Sequence, residues 1–239
     1  MSEKLPGRKK ASARELDAFV AKAKALSNAE PGQQPGRLLF AIDATMSRQP
    51  SWDMASHIQA GMFRETMAIG GLSVQLVWFR GFSEFKVNPW ANDAQALARQ
   101  MQPVHCLSGR TQIVRCLTHA LKAGRKDRLK AVIYIGDCVE EPEGELYRLA
   151  GQLGLSGVRL FTFHEGNDAR AERCFRELAR LSGGAFAKFD LNSPDRLREL
   201  LGAVAVYAAG GRQALHDHGR QGAEAAKHLL AQMQGDTSR

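Results

Sequence analysis

Three oxygen-bearing side chains follow a greasy run in "RLLFAIDATMSRQP", residues 37–50. Asp43, Thr45 and Ser47 stand at i, i+2 and i+4, straight after Leu38-Leu39-Phe40-Ala41-Ile42. A carboxylate at the end of a buried segment is costly unless something pairs with it. A second acid, Asp137, ends another apolar run, "AVIYIGD", and Thr111 opens a helix two residues after a chain-breaking Ser108-Gly109. Two carboxylates and three hydroxyls make an all-oxygen donor set, which suits a hard divalent cation such as Mg²⁺. Each residue also has a plainer reading. Thr45, Ser47, Thr111 and Asp137 could cap helices, and Asp43 could be a lone strand-end acid. Convergence in space separates the two readings.

The elements that would bring them together alternate strand and helix. Strands are expected at 37–43, 73–80, 84–88, 130–136, 158–164 and 185–190. Helices are expected at 52–69, 93–101, 111–123, 143–154, 169–181 and 194–208. "AVIYI" and "VRLFTF" are apolar at nearly every position, the mark of parallel strands covered on both faces. Gly81-Phe82-Ser83 is too short for a helical crossover, so the second and third strands should form a hairpin with an antiparallel strand at the edge. The expected fold is α/β, doubly wound, with a mostly parallel six-stranded sheet, one antiparallel edge strand and helices on both faces. In such a sheet the first and fourth strands are neighbours, and Asp43 and Asp137 face each other where the strand order reverses.

Around this core, residues 1–36 read as a basic tail, a helix near 11–26 and a Pro/Gly/Gln linker. Residues 37–210 form the main domain, and 211–239 read as a trailing helix and tail. The net charge is +8, yet outside Arg8-Lys9-Lys10 the basic residues are interleaved with acids, as in "RAERCFRELAR". That is the pattern of a solvated face rather than of a nucleic-acid footprint. Cys106, Cys116, Cys138 and Cys174 show no CxxC pair, so free thiols in a reducing compartment are expected. "MSEKLPGRKKASAREL" has no apolar signal segment, and the apolar stretch 200–209 is half of the roughly 20 residues a membrane span needs. A cytoplasmic protein without a membrane partner is the expectation.

"FAIDATMS" resembles the D-x-[ST]-x-S motif that opens the metal-ion-dependent adhesion site of von Willebrand factor A (VWA) domains. "SGRTQI" is similar to the loop supplying that site's threonine, and "IYIGD" to the strand bringing its second aspartate. "GVRLFTFHEGND" and "LARLSGGAFAKF" are similar to its later strands, so the resemblance spans about residues 37–208. It points to a bacterial-type intracellular member with a Rossmann-like fold. It implies Mg²⁺ (or Mn²⁺) held directly by Thr45 and Ser47, conditionally by Thr111, and through water by Asp43 and Asp137. It further implies a partner protein that offers a Glu or Asp to the metal, with an AAA-type ATPase system as a partner class. Arg48, Trp52 and Arg110 are then expected to form the rim of the pit.

The enzymatic alternative is a haloacid-dehalogenase-like phosphatase, since "IGDCVEE" resembles that family's acidic motif. Thr45 stands where such an enzyme carries its general acid, which argues for a binding module rather than an enzyme. A structural VWA domain with an unused site is the third reading.

Overall fold

The structure is a computed structural model that describes residues 35–190 and 192–233. The expected helix near 11–26 and the Arg8-Lys9-Lys10 run lie outside the described residues. Six strands, β1 Gly36–Asp43, β2 Leu72–Arg80, β3 Glu84–Ala91, β4 Ala131–Gly136, β5 Arg159–Glu165 and β6 Phe186–Phe189, form one sheet in the order β3-β2-β1-β4-β5-β6. All neighbours are parallel except β2 and β3. Asp43 therefore leaves β1, and Asp137 leaves β4, on either side of the strand-order reversal. Ile42 pairs with Ile135, so the two chains exit the sheet side by side.

Strand alternation divides the core in two. Leu38, Phe40 and Ile42 of β1 join Ala131, Ile133 and Ile135 of β4 on one face, while Leu39, Ala41, Val132 and Tyr134 point to the other. Helices α4 (Ile113–Asp127), α5 (Glu143–Leu155) and α6 (Ala169–Ser182) cover the second face through Leu117, Leu149 and Phe175. The first face is covered by α1 (Gln49–Ile58), α2 (Ala60–Thr66), α3 (Ala94–Met101), α7 (Pro194–Arg220) and α8 (Glu224–Gln232). With both faces covered, β1 and β4 carry apolar side chains at every central position.

Three details differ from the sequence expectation. The helix expected over 52–69 is two helices and a 3-10 turn, Met67–Ile69. The stripe Ala55, Ile58, Met62 and Thr66 stays buried across the break, so periodicity does not reveal it. Gln59 sits at that break, and its amide Nε2 donates to the Ala94 carbonyl 3.1 Å away. β3 runs on to Ala91, past a register shift on β2 between Gln75 and Val77; Lys86 and Pro89 fall on this edge strand, residues that discourage further pairing. The helix from Pro194 continues to Arg220, turning at Gly211, whose φ of 71° suits glycine. Leu215, Ala226 and Leu229 beyond that turn join the same core, and Gln232 bonds both the amide and the carbonyl of Phe186. Among the described residues no helix is long and apolar enough to cross a membrane.

Candidate metal centre

Asp43 is fully buried at the end of β1. Its Oδ1 accepts from the Thr45 amide at 2.7 Å, while Oδ2 is buried without a hydrogen-bond partner. Burial, above all, pushes its carboxyl up to about 6, and the nearby Asp137 charge adds to the rise. The Thr45 amide and hydroxyl, and more weakly the Arg48 charge, pull the other way. Ser47, exposed on the 3-10 turn Met46–Arg48, donates Oγ to Asp137 Oδ2 at 2.7 Å. Asp137 Oδ1 is also buried and unpartnered. His164 fixes the backbone beside it. Its Nε2 donates to the Asp137 carbonyl at 3.2 Å, and burial lowers its pKa. Asp43, Thr45, Ser47 and Asp137 thus meet at the carboxyl ends of β1 and β4.

Thr111 is placed differently. Its Oγ1 donates to Glu141 at 2.6 Å and accepts from the Glu140 amide at 3.2 Å, while its own amide donates to Glu140 Oε2 at 2.8 Å. Helix α4 begins at Ile113, not at Thr111, and Glu141 Oε1 accepts the first-turn Val114 amide at 2.9 Å. An acid from the β4–α5 loop therefore satisfies the α4 N-terminus, where negative charge also complements the helix dipole. Among the described residues no hydrogen bond joins Thr111 to Asp43, Ser47 or Asp137.

Of the expected rim, only Arg110 lies at the surface. Arg48 is 1% exposed; its Nη1 donates to Glu165, which also accepts from Ser51 Oγ. Trp52 is 2% exposed, donates Nε1 to the Met101 carbonyl at 3.2 Å and meets Trp78 edge-on at 6.5 Å. The cause is local. Helix α1 starts at Gln49, immediately after the motif, and its inner face is Ser51, Trp52, Ala55 and Ile58. The chain dives inward one residue after Ser47, carrying Arg48 with it. What does face solvent nearby was not anticipated: Met46 is 55% exposed, Leu107 46% and Phe82 81%. Backbone bonds tie their loops together, Leu107 N to Ala44 O at 3.1 Å and Arg110 N to Gly81 O at 3.0 Å. Gly109 permits this approach, since a Cβ there would lie 2.0 Å from the Gly81 carbonyl oxygen. Apolar residues in the connections between elements, Phe82 in the turn 81–83 and Leu107 in the stretch 102–112, are the available signal.

No family model matches the chain, and no curated protein matches it. Solved structures do. The VWA domain of SpRpn10 superposes with a TM-score of 0.53 over 68% of this chain and 95% of its own, at 12% identity. This chain has the VWA fold. The vWF domain of the type V pili tip protein Mfa5 from Porphyromonas gingivalis is similar over 73% of this chain and 95% of its own, with a TM-score of 0.52 and 10% identity. The manganese-loaded TRAP protein of Plasmodium vivax is similar over 71% and 74%, with a TM-score of 0.50 and 16% identity. At these identities the likeness is one of VWA architecture, and the chemistry has to be argued from the side chains.

Proposed function

We propose that this chain is a metal-dependent protein-interaction module rather than an enzyme. Asp43, Ser47 and Asp137, with Thr45 beside them, would hold Mg²⁺ or Mn²⁺, and a Glu or Asp of a partner protein would complete the coordination. The observation that carries this reading is the pair of open carboxylate oxygens. Asp43 Oδ2 and Asp137 Oδ1 are buried and unpartnered at adjacent strand ends. Leaving such acceptors empty is costly, and a cation between them removes both that cost and the repulsion of the two acids. The donor set is hard, as Mg²⁺ and Mn²⁺ prefer, and one VWA neighbour is described as manganese-loaded. The bound metal would supply a Lewis-acidic position for an incoming carboxylate oxygen.

Arg110, Met46, Phe82 and Leu107 are exposed on loops tied together at this end of the sheet, and they favour an acid flanked by apolar side chains. Thr111 would join the metal only after leaving Glu141. An AAA-type ATPase system is the partner class we favour, in a reducing cytoplasm that suits four cysteines without disulfides. Glu140 and Glu141, the acids a phosphatase would need, are engaged with Thr111 and α4, which supports a binding role.

The test is selection of peptides from a random display library in Mn²⁺. Binders should carry an acid and be released by EDTA, and Asp43→Ala protein should retain none. Binders that ignore EDTA and the substitution would refute the proposal.

A further inference from the structure

Cys138 adds a donor of a different kind to this site. Its Sγ, one oxygen of Asp43 and one of Asp137 all lie within 4.8 Å of one another. Tetrahedral zinc ligands at about 2.0–2.3 Å stand roughly 3.5 Å apart, so moving each atom inward by less than about 1 Å would bring all three onto one cation. Asp43, completely buried with Oδ2 unpartnered, independently marks that space as one built for a ligand. The other three cysteines are buried in the two cores, whereas Cys138 is half-buried at the mouth of the site.

We infer that Cys138 is a metal ligand and that the site selects a borderline transition ion such as Zn²⁺ or Co²⁺ over Mg²⁺. This rests on the proposed metal centre and deepens it. Thiolate is a soft donor that Mg²⁺ declines and that Zn²⁺ and Co²⁺ accept, and affinities rise along Mn²⁺ < Co²⁺ in any case. When the metal–sulfur bond forms, the thiol proton leaves to water and the cation neutralises the thiolate. Asp43 and Asp137 supply the remaining protein charge, so a divalent ion meets three anionic donors and keeps positions for water or a partner. A serine at 138 would leave an all-oxygen site, which makes the thiol separable from the rest.

The experiment is titration of the full chain with Co²⁺, followed by near-ultraviolet absorption, alongside calorimetry with Zn²⁺ and Mn²⁺. Wild type should show an intense sulfur-to-cobalt charge-transfer band that Cys138→Ser abolishes. Cys138→Ser should weaken Zn²⁺ at least about tenfold while changing Mn²⁺ affinity by less than about threefold. Asp43→Asn should lose every metal. Bound Co²⁺ without a charge-transfer band, or unchanged Zn²⁺ affinity in Cys138→Ser, overturns the inference and leaves the oxygen site standing. No heat with Zn²⁺ or Mn²⁺, together with no binding of Co²⁺, overturns both.

Discussion

The β4–α5 loop and the ends of β1 and β4 hold acids used in opposite ways. Glu140 and Glu141 are partly exposed, yet they accept from two backbone amides and a hydroxyl. Glu165 is likewise engaged, by Arg48 and Ser51. Asp43 and Asp137 are closer to the core, and each keeps one buried oxygen with no partner. An acid that must hold the fold is given donors. Under the proposed function, Asp43 and Asp137 are denied donors because they hold a ligand, and the fold bears that cost in its absence. The contrast predicts different mutational signatures for the two groups.

The largest effect should come from a satisfied acid. Arg48→Met leaves Glu165 without its guanidinium in a buried place, which typically costs about 3–5 kcal/mol. Adding Glu165→Met should recover most of it, since a hydrophobic replacement of a buried pair is often neutral. Urea unfolding of the two variants measures both. If the single variant lost less than about 1 kcal/mol, the pair would be ornamental and Glu165 would belong with the open acids.

Next comes an open acid, with the opposite sign. Burial pushes the Asp43 carboxyl up to about 6 from a usual value of 3.8. The folded state therefore keeps a proton that the unfolded chain has released. Stability from this group is complete below the unfolded value and is lost as pH rises through the folded one, by about 3 kcal/mol. In EDTA, Asp43→Asn should be the more stable protein at pH 7, and the two should converge near pH 4. Equal loss of stability at both pH values would move Asp43 into the structural group.

Glu141→Ala should have the smallest effect. It removes acceptors from Thr111 and Val114 and should cost about 1–2 kcal/mol, in the range of a lost helix cap. Metal affinity should not fall, because the Thr111 hydroxyl is released rather than removed. A tenfold loss of Mn²⁺ affinity would show that Glu141 belongs to the metal centre.

The same contrast explains how much could be read in advance. The strands and the hairpin edge follow from apolar runs and turn residues, which are local signals, and the meeting of Asp43 with Asp137 follows from the doubly wound pattern that those elements imply. The motif loop is legible because five consecutive residues carry it. Arg48 is not, because its partner Glu165 lies 117 residues away and nothing near Arg48 announces a buried anion. Thr111 sits beside a proper loop signal, but its hydroxyl is settled by Glu141, on a separate loop 30 residues later. Trp52 lies in the core because its helix starts at Gln49, three residues before the expected 52, which puts Ser51, Trp52 and Ala55 on the inner face. Pattern fixes which residues reach the site, whereas the competition among donors there is decided by side chains distant in sequence.

The central claim, that the open oxygens of Asp43 and Asp137 form a cation site, is tested most directly by thermal unfolding with and without Mn²⁺. Stabilisation should follow RT ln(1 + [L]/Kd), about 2.7 kcal/mol at a hundredfold excess over Kd. Wild type should show a melting temperature that climbs with Mn²⁺ and returns on EDTA, while Asp43→Ala and Asp137→Ala should show none. A wild-type transition unmoved by millimolar Mn²⁺, or an equal rise in all three proteins, would contradict the account.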